Sequence, residues 1–286
     1  MRRFVSTHLF RRRRLGPAQL DALQAAGLEG VELFCARPSF DYHDRGQMAD
    51  LAAWFAQNRL AVNSLHSPIY ADEREGRSGE PPLNLADADP RQRLFALDEV
   101  QRTLEFAERV PFRFLVQHLG PSRLEFDLHR WDRALTSLER IRLLAKQAGV
   151  TVLVENIPNG LSTPEKLIEF LAANHLDDIG VCFDAGHAHI RAELFGGGGV
   201  AASWETLRPR VRSTHLHDNG GSSDEHLWPG EGSISWSELA PRLRAAGPDL
   251  PWLLEVGDHG EAGDLAARIR AAFDLLERAA GSQEAA

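Results

Sequence analysis

Cysteine is nearly absent from this 286-residue chain, with Cys35 and Cys182 the only two. Two thiols cannot build a disulfide framework, so a reducing compartment is expected and the protein is read as cytoplasmic. Long apolar runs are missing as well: none approaches the roughly 18–20 residues of a membrane-spanning helix. A secretory leader is not expected. Ser6, Thr7 and His8 interrupt the apolar stretch after Met1-Arg2-Arg3, and Arg11–Arg14 stand where a cleavage region would lie. Positive charge is in deficit. The 32 basic and 41 acidic side chains leave a net charge of −9, which argues against broad nonspecific binding to nucleic acid or to an anionic membrane. One local basic patch is compatible with that balance. No internal repeat and no interdomain linker is visible.

What is present is an ordinary globular composition, 43% apolar and 26% charged, with enough material for a large core. Short apolar or β-branched runs recur at Arg3–His8, Gly30–Phe34, Ala61–His66, Phe112–His118, Val150–Glu155, Ile179–Asp184, Val211–His217 and Pro251–Val256. Most are nearly continuous, the pattern of strands buried on both faces of a parallel sheet. Between them, helical spacing is read over Pro17–Ala26, Gly46–Asn58, Arg91–Arg109, Arg130–Ala148, a helix opening at Ser162–Glu165, Ser237–Ala246 and Glu261–Arg278, with Val200–Arg208 the weakest. In Arg91–Arg109 the apolar stripe is Leu94, Leu97, Val100, Leu104 and Ala107.

Eight strands alternating with helices over this length predict an α/β fold, a single-domain (β/α)₈ TIM barrel spanning residues 1–280, with 281–286 a frayed tail. An open doubly wound sheet is the competing arrangement. Gly196–Gly199 is expected to break one connection. Ser67–Pro90 is too long for a plain connector and follows a strand, so it is expected to cover the active face.

Twelve histidines are the unusual count, and their positions matter more. The third run ends in His66, the fourth in His118, the fifth in Glu155 and the sixth in Asp184. The seventh carries His215 and His217, and the eighth Glu255. Strand C-termini are where barrel active sites lie. A lone histidine at such a place is more often a structural hydrogen-bonding residue. Six consecutive strands delivering N or O ligand types to one rim are not explained that way. Buried acids in a cluster repel one another and lose hydration, and a divalent cation removes both costs. Imidazole and carboxylate suit Zn²⁺ or Mn²⁺. Cys182, deeper on the strand that ends in Asp184, is read as packing. A sharp turn at Gly186 is expected to bring His187 back over the rim, and Asp224 and His226 lie in the loop after the seventh strand.

The motif order VEN (Glu155), CFDAGH (Asp184, His187), THLHD (His215, Asp218), DEHLWPGEG (Asp224, His226) and LLEV (Glu255) resembles the xylose-isomerase-like TIM-barrel superfamily. That superfamily includes sugar-phosphate isomerases and epimerases, inosose dehydratases and AP endonucleases of the endonuclease IV class. The resemblance covers nearly the whole chain. It implies one central metal, Zn²⁺ or Mn²⁺, on Glu155, Asp184, His215 and Glu255, with His215 preferred to His217 because the family spacing is His-x-x-Asp. It also implies that Glu155 and Glu255 face each other across the substrate as acid and base. The endonuclease branch carries three metals, and its further ligand types match His66, His118, His187, Asp224 and His226.

Against that branch, its strand-seven lysine is replaced by Asn219-Gly220 and no DNA-penetrating loops are evident. The expected function is therefore a metal-dependent sugar or sugar-phosphate isomerase or epimerase, acting by proton transfer through an enediolate. The alternatives are an endonuclease IV-like multi-zinc phosphodiesterase and a polyol-ketone dehydratase. The expected partner is a small sugar or sugar phosphate, not nucleic acid and not a membrane.

Overall fold

The computed structural model of the protein describes residues 1–195, 199–260 and 263–281, except for the side chains of 191–195. Residues 196–198 of the glycine run and the expected tail beyond Gly281 lie outside the described residues. Eight strands form one parallel sheet: β1 (Arg2–Ser6), β2 (Gly30–Phe34), β3 (Ala61–His66), β4 (Phe114–Gln117), β5 (Thr151–Glu155), β6 (Gly180–Asp184), β7 (Val211–His215) and β8 (Pro251–Leu254). Sequential strands pair from β1 to β7, and β8 pairs with β1.

The circle closes between β7 and β8. Leu216 N donates to Leu253 O at 2.8 Å, Glu255 N donates to Leu216 O at 3.2 Å, and the buried Thr214 hydroxyl donates to Pro251 O at 2.8 Å. The fold is a single-domain (β/α)₈ barrel, not an open sheet. No described helix is long and apolar enough to cross a membrane.

Helices α1 (Pro17–Gln24), α2 (Arg45–Gln57), α3 (Pro90–Leu104), α4 (Leu128–Gln147), α5 (Pro164–Ala173), α6 (Ala185–Phe195), α7 (Gly199–Leu207), α8 (Trp236–Ala245) and α9 (Leu265–Gly281) surround it. Local chemistry sets their starts. Asp44, Asp89, Asp127 and Thr163 each accept a backbone N–H of the first turn, and proline opens α3 and α5.

Period-two alternation separates two cores. Leu115, Val152, Val154, Val181 and Phe183 point outward into the large core shared with the helices. Phe114, Val116, Leu153 and Cys182 fill the barrel interior. On that inner face, two residues above Leu153 and Cys182, stand Glu155 and Asp184. The pleat therefore places an apolar plug at mid-barrel and a polar layer at its C-terminal rim.

Several elements differ from the sequence reading. Thr7–Phe10 form a 3₁₀ turn after a shorter β1, and His118, His217 and Glu255 stand just past the last paired residues of their strands. The apolar stripe of α3 buries Leu97, Val100 and Leu104, but Leu94 is 48% exposed. The segment after Asp184 is not a sharp turn: α6 starts at Ala185, and the Asp184 carboxylate accepts His187 N at 2.6 Å. Gly186 serves close approach instead. A Cβ there would lie 2.0 Å from Cε1 of His217.

The closure hydrogen bond gives a direct test. Thr214→Val keeps the shape but removes the hydroxyl that bridges β7 to β8, and should cost about 1–3 kcal/mol in denaturant unfolding. An unchanged midpoint would show that closure does not depend on this bond.

Candidate metal centre and active site

The rim is built from strand ends, so its geometry follows from the barrel. Glu155, Asp184 and His215 are wholly buried and Glu255 is 2% exposed. His215 Nδ1 lies 3.4 Å from Glu155 Oε1, 3.7 Å from Asp184 Oδ2 and 3.3 Å from Glu255 Oε2. Around one tetrahedral ion with bonds of about 2.0–2.1 Å, ligand atoms are separated by about 3.3 Å. One ligand atom from each of the four residues lies within 4.8 Å of all the others.

Two further groups adjoin it. His66 Nε2 and His118 Nε2 approach the same oxygen of Glu155, at 3.3 and 3.2 Å. His187, His217, Asp224 and His226 form the other. There Asp224 Oδ2 lies 3.3 Å from His187 Nε2 and 3.1 Å from His226 Nε2. The rings of His217 and His226 stack at 4.0 Å. His187 links the groups, with Nδ1 3.0 Å from Glu155 Oε1.

The hydrogen-bond pattern fits a cation. His66 Nδ1 meets the carbonyl of Ser67 at 2.7 Å, and His226 Nδ1 meets that of Glu255 at 2.7 Å. A carbonyl only accepts, so both Nδ1 atoms carry the proton. Each Nε2 then turns toward a carboxylate. Such a contact is favourable only if the imidazole is charged or a cation lies between the two lone pairs. Buried atoms without a hydrogen-bond partner also converge here: Glu155 Oε1, Glu255 Oε1, and Nδ1 of His187, His215 and His217.

Without a cation, charge is balanced within the protein. Burial opposes ionisation of Glu155, but His215 and His118 outweigh it and hold the carboxyl well below its ordinary value. Glu255 moves the other way, because burial prevails over His215 and His226. Burial disfavours the charged form of His226, yet Asp224 pushes it up to about 9.

All nine expected residues, His66, His118, Glu155, Asp184, His187, His215, Asp224, His226 and Glu255, thus come together at one rim. His215 faces the Glu155, Asp184 and Glu255 group, while His217 faces Asp184 at 3.0 Å and joins the Asp224 side.

Sequence reasoning assigned no role to Glu32 or His8. Glu32, wholly buried in β2, accepts from Ser64 Oγ at 2.9 Å and meets His215 Nε2 at 3.2 Å. It thereby fixes the ring whose Nδ1 faces the acidic group. The signal was a charged residue inside the apolar run GVELF. His8 lies against His226, with ring centroids 4.4 Å apart. Asp218 faces away from the acidic group. It accepts from Gly230 N, Ile234 N and Trp236 Nε1 and so braces the loop carrying Asp224 and His226. His226 itself has φ +48°, a left-handed conformation that costs of order 1–3 kcal/mol and typically persists at functional sites.

The Ser67–Pro90 connection is anchored at both ends of its course. Arg37 binds Ala71 O and Glu73, and α4 holds Leu85 O and Ala86 O through Ser137 and Arg133.

The sequence matches the profile of the xylose isomerase-like TIM barrel over residues 20–279. The chain belongs to that family. An uncharacterized protein of Methanocaldococcus jannaschii is 26% identical over 202 residues, 69% of this chain and 72% of the relative. Fructoselysine 3-epimerase of Escherichia coli O157:H7 is 22% identical over 220 residues, 74% and 75%. A probable endonuclease 4 of Natronomonas pharaonis is 27% identical over 187 residues, 60% and 66%. Among solved structures, a D-tagatose 3-epimerase-like protein superposes with TM-score 0.78 at 22% identity over 100% of both chains. A zinc-bound IOLI protein does so with TM-score 0.72 at 16% identity, covering 98% of this chain and 96% of its own. At these identities the structural likeness is one of fold.

Glu32→Gln keeps the shape of that side chain and removes its charge. On the expectation that His215 is a ligand, it should weaken binding of added Zn²⁺ by about tenfold or more, since outer partners of ligating histidines typically contribute that much. Chelator-competition titration measures it, and an unchanged affinity would make Glu32 a packing residue only.

Proposed function

We propose that the protein is a divalent-metal-dependent sugar epimerase or isomerase that moves a proton through an enediolate. The observation that carries this reading is the convergence of Glu155 and Glu255 on the same His215 nitrogen, each with a buried oxygen lacking a hydrogen-bond partner. Family membership and the epimerases among its relatives point the same way.

Glu155, Asp184, His215 and Glu255 would hold the metal, Zn²⁺ or Mn²⁺. When bound, it would polarise a substrate carbonyl and the adjacent hydroxyl and offset the charge that develops on their oxygens. Glu155 and Glu255 enter the rim from β5 and just past β8, on different sides of the barrel. One takes the proton from the carbon next to the carbonyl and the other returns it. Return to the opposite face gives an epimer, and return to the neighbouring carbon gives an isomer. Glu32 positions His215, while His66 and His187 orient substrate hydroxyls. The apolar plug of Phe114, Val116, Leu153 and Cys182 below keeps water from the buried side of the site. A dehydratase acting on a polyol ketone would share the first proton abstraction.

A second reading, an endonuclease IV-like phosphodiesterase with up to three zinc ions, draws on one specific feature. Glu155 is shared by His66 and His118, and a separate group forms at His187, Asp224 and His226. The net charge of −9 and the Asn219-Gly220 stretch weigh against it.

Glu155→Gln and Glu255→Gln should each abolish exchange of the α-proton of a ketose or aldose with deuterated water while the thermal midpoint stays near that of the parent. Near-normal exchange in either variant would end the two-glutamate mechanism. Duplex DNA with an abasic site should stay intact with zinc or manganese supplied. Metal-dependent incision that is lost in His226→Ala would replace the epimerase reading by the phosphodiesterase one. Elemental analysis of protein purified without added metal should find near one ion per chain, whereas near three zinc ions would favour hydrolysis.

A further inference from the structure

The four consecutive arginines after the first strand are unequal in the folded protein. Arg13 is paired with Asp258 at 3.0 Å and Arg14 with Asp44 at 2.5 Å. Arg11 and Arg12 have no carboxylate within ion-pair distance among the described residues. Arg11 Nη1 donates to His8 Nε2 at 3.0 Å. His8 Nδ1 meets the carbonyl of Val256 at 3.2 Å and carries the ring proton, so His8 is a neutral acceptor and does not pair the guanidinium charge. Arg11 Nε is buried without a hydrogen-bond partner.

Both arginines line a cavity of roughly 780 Å³ that is also lined by Asp224 and His226 of the metal rim. The acids in its lining have partners of their own. Asp258 holds Arg13, Glu225 accepts Gly220 N at 2.8 Å, and Asp224 faces His187 and His226. Glu75, from the connection after β3, feels the charge of Arg11 and Arg12 but stands beyond ion-pair distance. A chain of side-chain contacts joins the cavity to the proposed chemistry. Arg11 contacts His8, the His8 ring lies 4.4 Å from that of His226, and His226 Nδ1 is 3.9 Å from Glu255 Oε2.

We infer that Arg11 and Arg12 form a subsite for the phosphate monoester of a small phosphorylated sugar whose carbonyl end reaches Glu155 and Glu255. The substrate class rests on the epimerase reading above, while the anion subsite rests on the cavity itself. Two guanidiniums without a contact ion pair match a phosphate dianion, and guanidinium forks recognise phosphate oxygens in pairs. A carboxylate would need only one of them. A nucleic-acid duplex would need a run of phosphate contacts along the surface, whereas these two cations sit within one cavity of an acidic protein.

The test is calorimetric titration of the metal-loaded protein with inorganic phosphate and, separately, acetate. It compares the parent with Arg12→Ala, an exposed position, and with the Arg11→Ala/Arg12→Ala pair, and metal content is measured in each. Phosphate should bind saturably and more tightly than acetate. Its affinity should fall about tenfold or more in the pair and by an intermediate factor in Arg12→Ala, with metal content unchanged. Several results would overturn the assignment: no phosphate binding by the parent, undiminished affinity in the pair, or acetate binding as tight as phosphate. Displacement of phosphate by abasic duplex DNA would also do so. Phosphate binding is read without turnover, so lack of α-proton exchange with this subsite intact would sink the epimerase reading alone.

Discussion

Four carboxylates, those of Glu32, Glu155, Asp184 and Glu255, are held almost out of water at one end of the barrel. Taking one such ion from water without compensation costs several kcal/mol or more. Everything at the rim answers that constraint. His66, His118, His187, His215 and His217 crowd against the acids at 3.0–3.3 Å. Buried nitrogens and oxygens without hydrogen-bond partners still remain between them. An apolar core has no use for such an assembly, since removing it would relieve repulsion and desolvation together. A site for a divalent cation does have a use for it.

The barrel is what makes the arrangement possible. Parallel strands all end at the same rim, and their pleat turns every second residue inward. The side chains two residues below Glu155 and Asp184, Leu153 and Cys182, are part of the apolar plug. Acid-rich and apolar layers are thus stacked within single strands, and the large outer core shared with the helices supplies the stability that the polar layer lacks. Closure between β7 and β8 matters for the same reason, because it brings Glu255 beside His215 and thereby joins the last strand to the rest of the rim.

The loops then distinguish this rim from a bare metal cradle. Asp218 turns away from the acids and ties down the segment that presents Asp224 and His226. His8 passes contact from the rim to Arg11. The electrostatic character changes over a short distance, from a buried acidic cluster to a pair of guanidiniums without a contact ion pair. A substrate with a polar reacting end and an anionic tail fits that gradient.

Much of this was legible in the linear chain, because it depends on local rules. Apolar runs alternating with helical spacing specify the barrel, and an ionisable residue at the end of a run reaches the rim in any parallel barrel. That is why Glu155, Asp184 and Glu255 stand out in the sequence. The chain could not say that Glu32 serves His215 from 183 residues away, because a charge inside a strand has a partner only once the neighbouring strands are placed. Nor could it separate His215 from His217 beyond a motif spacing. Both face inward by alternation, and only the helix beginning at Ala185, with Gly186 open beneath His217, assigns each to its own neighbours. The four arginines carry the same lesson. The sequence presents them as equivalent, and the folded chain pairs Arg13 and Arg14 with distant acids while leaving Arg11 and Arg12 without a contact ion pair, because ion pairing is decided by proximity in space and not by order along the chain.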